Sequence, residues 1–264
     1  MAFTLIDIPR AMRREGWQIG ARVMERWFAG AARIMSDDEK TGLTLPRDIE
    51  SRIVTTAWCR KFARFVDAEN QLIATWALPA RMGRARRNLT DKVRAWRRRA
   101  NAGTAPFRFG DLSVAAATID QTCQLNLQVI ESSLLGDADD FYAAVGRGTV
   151  KIAVAGNAVP ISRGRVRLTI DEIGTYLRDT YEFNGDQMLG SWGPDGLRRA
   201  AILALSIQWV RESAKEDQAQ AYWSVSNGSF QGWRRHYGRG GDYVIFSDVR
   251  RRRLLRPFAV ELDA

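Results

Sequence analysis

Apolar residues recur at three- and four-residue spacing through the first hundred positions, and at two-residue spacing through much of the remaining chain. The first pattern predicts helices and the second predicts strands. Asp7 with Pro9 reads as a helix start. Met12, Ile19, Val23, Met24, Trp27 and Phe28 supply apolar faces, and Gly16 divides them between two short helices. Thr41 to Pro46 reads as a loop. Trp58, Phe62, Phe65, Val66, Ile73 and Trp76 mark a long amphipathic helix that Pro79 ends or kinks. A second long helix comes next, with Met82, Ala85, Leu89, Val93, Trp96 and Ala100 on one face and Arg84, Arg87, Arg94 and Arg98 on another. Gly103 and Pro106 close it.

Beyond that point the period changes. Leu125, Leu127 and Val129 alternate with amides, which suits a strand, with a helix close behind. Val150, Ile152 and Val154 alternate cleanly, as do Val166, Leu168 and Ile170. Residues 173–183 and 188–192 read as further strands, and 136–140 as the start of a turn or short helix. Residues 197–210 read as a buried helix, 225–237 as a loop with a short helix, and 243–246 as a strand. Ser247 and Asp248 would cap that last strand ahead of a basic tail. Strands and helices do not alternate regularly, so the expected fold is α+β, a helical N-terminal half followed by a mainly antiparallel, strand-rich C-terminal half. The expected division is a helical region over 1–110 and an α+β region over 111–264, with one continuous domain as the alternative.

Composition narrows the chemistry. Of 264 residues 45% are hydrophobic and 27% charged, which suits a folded chain. The first residues carry no basic segment followed by an apolar one, so no secretory signal is expected. Cys59 and Cys123 have no motif partner and read as small buried hydrophobes. A single histidine, His236, excludes multi-histidine metal sites, while a hard cation held by carboxylates stays open. The net charge of +10 is concentrated: between Ala80 and Gly110 ten basic residues face one acid, Asp91. This helix reads either as a solvated face or as a surface for phosphates, nucleic acid or anionic lipid headgroups, and with the run Arg250–Arg253 it could hold the protein at an anionic membrane. No aromatic residues are interleaved on the basic face, so a single-strand stacking platform is not supported, and nucleic acid is not the expected partner.

Three segments mix charged and aromatic residues densely. In Arg178–Asn184 a strand would put Asp179, Tyr181 and Phe183 on one face, with Arg178 and Glu182 on the other unless the strand ends near Tyr181. The Trp233–Asp242 segment holds His236, the one side chain that ordinarily titrates near neutral pH, flanked by Arg235 and Arg239. The third is Phe246–Val249. No phosphate-binding glycine loop and no nucleophile-elbow motif is present.

Several of these segments, namely Met12 with Trp17, Met24–Phe28, Arg178–Asn184, Gln187–Trp192, Asn227 with Phe230 and Trp233–Arg234, and Gly240–Asp248, together resemble an uncharacterised bacterial family of unknown function. Its members occur in proteobacteria beside type VI secretion genes. The resemblance implies an antibacterial effector made in the bacterial cytoplasm and injected into a target-cell periplasm, with a secretion-system component and an immunity protein as partners. Asp179-Thr180-Tyr181-Glu182 also resembles the Asp-x-Tyr-Asp motif of colicin M-type toxins, which cut lipid-linked peptidoglycan precursors with magnesium. Here Glu182 replaces the second Asp, and Met188-Leu189 stand where that family has His-Arg.

These readings yield one expectation: a Mg²⁺-dependent hydrolase of an anionic lipid-linked substrate. Asp179 and Glu182 would hold the cation, and Tyr181 would orient a phosphate oxygen. His236 would act as acid or base, with Arg235 stabilising developing charge. Arg178, Asn184, Arg239 and Asp242 would contact substrate. The alternative is a non-catalytic adaptor or chaperone of the secretion apparatus.

Overall fold

The computed structural model describes residues 3–132, 136, 138–162, 164–198 and 222–263. A 3-10 turn, Leu5–Asp7, leads into α1 (Ile8–Arg14) and α2 (Gln18–Ala29), separated at Gly16 as the spacing predicts. Asp7 precedes α1, but its carboxylate turns back to bond Thr4. After α3 (Asp37–Thr41) and the short β1 (Ile49–Glu50), the long helix expected around Trp58–Trp76 is two helices, α4 (Thr56–Cys59) and α5 (Ala63–Thr75). Pro79 takes the first turn of α6 (Pro79–Arg99), where its missing N–H costs nothing. Met82, Ala85, Leu89 and Val93 are buried along α6, and Arg84, Arg87, Arg94 and Arg98 face solvent.

The remaining elements are mostly strands: β2 (Phe107–Phe109), α7 (Ala116–Thr122), β3 (Gln124–Val129), α8 (Asp140–Val145), β4 (Thr149–Ser162), β5 (Arg165–Tyr181), β6 (Met188–Gly193), β7 (Gly196–Leu197), β8 (Trp223–Ser226), α9 (Asn227–Tyr237), β9 (Tyr243–Phe246) and β10 (Arg250–Asp263). The two strands expected at 164–170 and 173–183 are the single strand β5. Most of the helix expected at 197–210 lies outside the described residues, though Leu197 itself belongs to β7. The expected basic tail is instead the strand β10, antiparallel to β5. Its run of arginines hides the alternation that would have predicted it.

Two long strands, β4 and β5, form an antiparallel ribbon that organises everything else. Toward one end β9 and then β1 extend the sheet beside β5, and β3 lies beside β4. Toward the other end β10 covers β5 and β2 covers β4. Among the described strands only the β1–β9 pair is parallel. A smaller antiparallel sheet has the order β7-β6-β8. The ribbon is bulged at Gly156, where an added Cβ would lie 2.1 Å from the Thr169 carbonyl oxygen. Only glycine permits that approach.

The α+β architecture is as the periodicity predicts. Helices α5 and α6 pack on β3, and α1 and α2 pack on the small sheet and on α8 respectively. One buried core runs from Ile8 and Trp27 through Leu72 and Leu89 to Ile152, Leu177 and Ile245. It spans the expected boundary near residue 110, and β1 and β2 from the helical region complete the large sheet.

Candidate functional site

A cavity of about 420 Å³ opens where the C-terminal end of β5 meets α1, α2, α8 and the small sheet. The strand ends at Tyr181, so the alternation stops there and Asp179, Tyr181, Glu182 and Asn184 all line the space. Trp17, Trp192, Phe183 and Phe230 form much of its wall, with Met12 and Met24. Arg147 and Gln187 are its exposed rim, and Gln187 reaches the Tyr142 hydroxyl at 3.3 Å across it. The walls are packed ring on ring: Phe183 stacks on Phe230 at 3.7 Å between centroids, and Trp17 meets Trp192 edge to face at 5.8 Å.

Asp179 sits on the inner stretch of β5, beside Gly148 and paired across the sheet with Ile245. Its side chain is half-buried, with one side facing the cavity. Burial lifts its pKa from 3.8 to about 8. The Thr180 backbone N–H and the nearby Arg178 pull it down, and Glu182 pushes it up, but burial wins. At neutral pH the group is therefore a carboxylic acid, able to donate a hydrogen bond. Two residues on, burial also raises the Tyr181 hydroxyl, so it too keeps its proton. The Tyr181 ring is held between Tyr243, stacked at 5.4 Å, and Phe183, edge-on at 5.4 Å. Among the described residues neither Asp179 nor Tyr181 has a side-chain hydrogen-bond partner.

Glu182 differs. Its carboxylate meets Lys40 Nζ at 2.9 Å and accepts a 2.5 Å bond from Asn184 Nδ2. The Asn184 carbonyl in turn accepts from Asn227 Nδ2. These contacts fix the turn after β5 and occupy the charge expected to share a cation with Asp179. No three His, Cys, Asp or Glu side chains converge among the described residues. Mg²⁺ favours near-octahedral oxygen ligands. Mg²⁺ commonly takes one or two protein carboxylates and completes its shell with water, and here Glu182 is already engaged by Lys40.

The other expected site residues lie elsewhere. His236 and Arg235 are exposed at the C-terminal end of α9. The histidine ring packs edge-on to Tyr237 at 4.5 Å, and none of the three lines the cavity. Arg239 is exposed and donates to the Ala29 carbonyl. Asp242 is fully buried, where it pairs with Arg234, accepts from Trp27 Nε1 at 3.1 Å and accepts from the Met35 backbone N–H at 3.2 Å. Gly240, at φ +97°, lies against the Trp27 ring, so close that an added Cβ would fall 2.5 Å from it. The Tyr243 hydroxyl donates to the Val23 carbonyl at 2.7 Å. In the structure this glycine-rich segment fastens α2 to the large sheet.

Arg178 points to the opposite side of the sheet from Asp179, as alternation requires. It donates to the Glu39 carbonyl at 2.6 Å and lies 3.5 Å from Asp120. Asp120 is a buried hub, accepting from Lys151 Nζ and the Tyr176 hydroxyl, each at 2.7 Å. Lys92 joins this interior, and burial lowers its pKa to about 8. The two cysteines are buried, and burial raises both thiols, so neither is a ready nucleophile. Sequence reasoning did not single out Arg147, Tyr142 or Ser132 as lining residues. They come from turns and a short helix with no motif of their own. By contrast Met12, Trp17, Met24, Leu189, Trp192, Asn227 and Phe230, all within the segments that carry the family resemblance, converge on the cavity.

The chain matches the model of a family of unknown function, DUF6402, over residues 3–262, and it belongs to that family. No curated protein and no solved structure matches it. No helix among the described residues is long and apolar enough to cross a membrane.

Proposed function

We propose that this member of the DUF6402 family binds a compact, largely apolar or aromatic molecule in the cavity beside Asp179. The molecule's hydrogen-bonding end would rest against the Asp179 carboxyl and the Tyr181 hydroxyl. The observation that carries this reading is the pair itself: a half-buried carboxyl and a buried phenol, both protonated and without side-chain partners among the described residues, side by side on one strand face and opening on aromatic walls. Both polar ends open on the cavity, where an acceptor on a ligand can meet them. Apolar walls with a few convergent polar groups are the usual make-up of a small-molecule site. The test is a thermal-shift screen of small aromatic and aliphatic carbonyl compounds, followed by titration of tryptophan fluorescence through Trp17 and Trp192. A hit should stabilise the wild type and lose most of its effect with Asp179→Leu and with Tyr181→Phe. Hits that stabilise all three proteins equally would place binding elsewhere.

A second reading keeps the antibacterial hydrolase delivered by type VI secretion, acting on a lipid-linked precursor. It is favoured by the same acid, because a carboxyl that releases its proton near pH 8 suits general-acid work in an apolar cleft. It would have to proceed without His236 and Arg235 in the cavity, so the binding reading is preferred. Phosphate release from undecaprenyl pyrophosphate, abolished by Asp179→Leu and unchanged by His236→Ala, would favour the hydrolase. No release, together with no toxicity on periplasmic expression, would remove it and leave ligand binding or an adaptor role.

A further inference from the structure

The arginine-rich face of α6 and the C-terminal strand meet on one side of the molecule, far in character from the cavity. Helix α6 lies along β10: Arg86 donates to the Glu261 carbonyl at 2.6 Å and Arg94 to the Asp263 carbonyl at 2.8 Å. Just before α6, Trp76 packs edge to face on Phe258 at 5.3 Å. Immediately before Phe258 the strand register breaks. Arg253 pairs with Glu172 and Phe258 with Ile170, so Leu254 to Pro257 stand opposite Asp171 alone and bulge from the strand. The Leu255 side chain is fully exposed within that bulge, between the exposed Arg252, Arg253 and Arg256. Leu78, at the entrance to α6, is 51% exposed.

The charges here are only partly consumed internally. Arg250 and Arg251 pair with Glu69 and Glu172, and Arg94 with Asp91. Arg252, Arg253, Arg256, Arg84, Arg87 and Arg98 have no carboxylate partner among the described residues. An edge strand that carried only arginines would be a solvated, self-repelling edge. A leucine presented at the crest of a bulge, ringed by unpaired arginines, has a more specific match. It is the arrangement that lets apolar tips enter the acyl boundary while guanidinium groups stay at the phosphates.

We infer that the bulge at Leu255 and the basic face of α6 form a docking surface for an anionic lipid bilayer. A nucleic acid would satisfy the arginines and leave Leu255 without a partner, so the lipid surface is the occupant the apolar crest selects. This surface does not depend on what the cavity binds.

The experiment is flotation of the full chain with vesicles of phosphatidylcholine alone and of an equimolar mixture with phosphatidylglycerol. The bound fraction should be about tenfold or more higher on the mixed vesicles and should fall steeply with added salt. Leu255→Ser and the double variant Arg84→Glu/Arg87→Glu should each weaken binding about tenfold, with unchanged circular dichroism and melting temperature. Equal binding to both vesicles, binding to neither, undiminished binding by Leu255→Ser, or release from vesicles by a duplex oligonucleotide that Leu255→Ser binds equally well would each overturn the inference.

Discussion

Replacing Asp179 with Asn should make the protein more stable at neutral pH, and the gain should vanish in acid. In the unfolded chain the carboxyl ionises near 3.8, whereas in the folded protein it holds its proton to about pH 8. Between those values the folded state binds a proton that the unfolded state has released, so stability falls as pH rises through this window. It is greatest below pH 3.8, and the loss is complete above pH 8. At about 1.4 kcal/mol per pH unit, the cost at pH 7 reaches about 4 kcal/mol. Asn is nearly the shape of the protonated acid and can still accept from the Thr180 N–H, so Asp179→Asn removes the cost and leaves the fold alone.

The expected gain at pH 7 is roughly 2–4 kcal/mol, or roughly 4–16 °C in Tm for a chain of this size. At pH 4 the two proteins should melt together, and at pH 9 the gap should be widest. Urea unfolding at the three pH values reads the difference directly. A variant less stable than the wild type at pH 7, or a difference independent of pH, would refute the reasoning, because Asp179 would then be an ionised, favourably solvated carboxylate.

Other side chains give sharper losses. Asp120→Asn removes the counter-charge of Lys151 and Arg178 and should cost roughly 3–5 kcal/mol in urea unfolding, with Lys151→Met restoring part of it. Asp242→Ala leaves Arg234 buried and unpaired and should cost a similar roughly 3–5 kcal/mol, with a shift in Trp27 emission as its indole loses its acceptor. Gly156→Ala forces a Cβ against the Thr169 carbonyl and should lower Tm by several degrees, seen by calorimetry.

Much of the architecture was legible because periodicity survives burial. The apolar stripe of α6, the break at Gly16 and the alternation of β4 arise from side chains that must reach the core. Elements failed where that signal was masked. Exposed arginines line the start of β10, so its pairing with β5 is set by the backbone and by its apolar second half, in Phe258, Val260 and Leu262. The split between α4 and α5 arises at Arg60–Phe62, where nothing in the apolar spacing marks a break.

The site was half legible for a similar reason. Two-residue alternation put Asp179 and Tyr181 on one face, and the end of the strand at Tyr181 turned Glu182 toward the same cavity. Convergence in space is not written in spacing. His236 carried chemical promise by residue type alone, and it ends an exposed helix, while Asp242 and Gly240 serve the packing of Trp27. The residues that do converge with Asp179 are mostly aromatic and Met side chains, which read as ordinary core until the walls are seen together.

The central claim is that Asp179 is a protonated acid facing a ligand cavity. It is tested most directly by ¹³C NMR titration of the aspartate carboxyls, with Asp179→Asn used to assign the signal. One aspartate signal, absent from the variant, should titrate near pH 8 in the free protein. A signal for Asp179 that titrates below about pH 5, within the ordinary aspartate range, would contradict the claim.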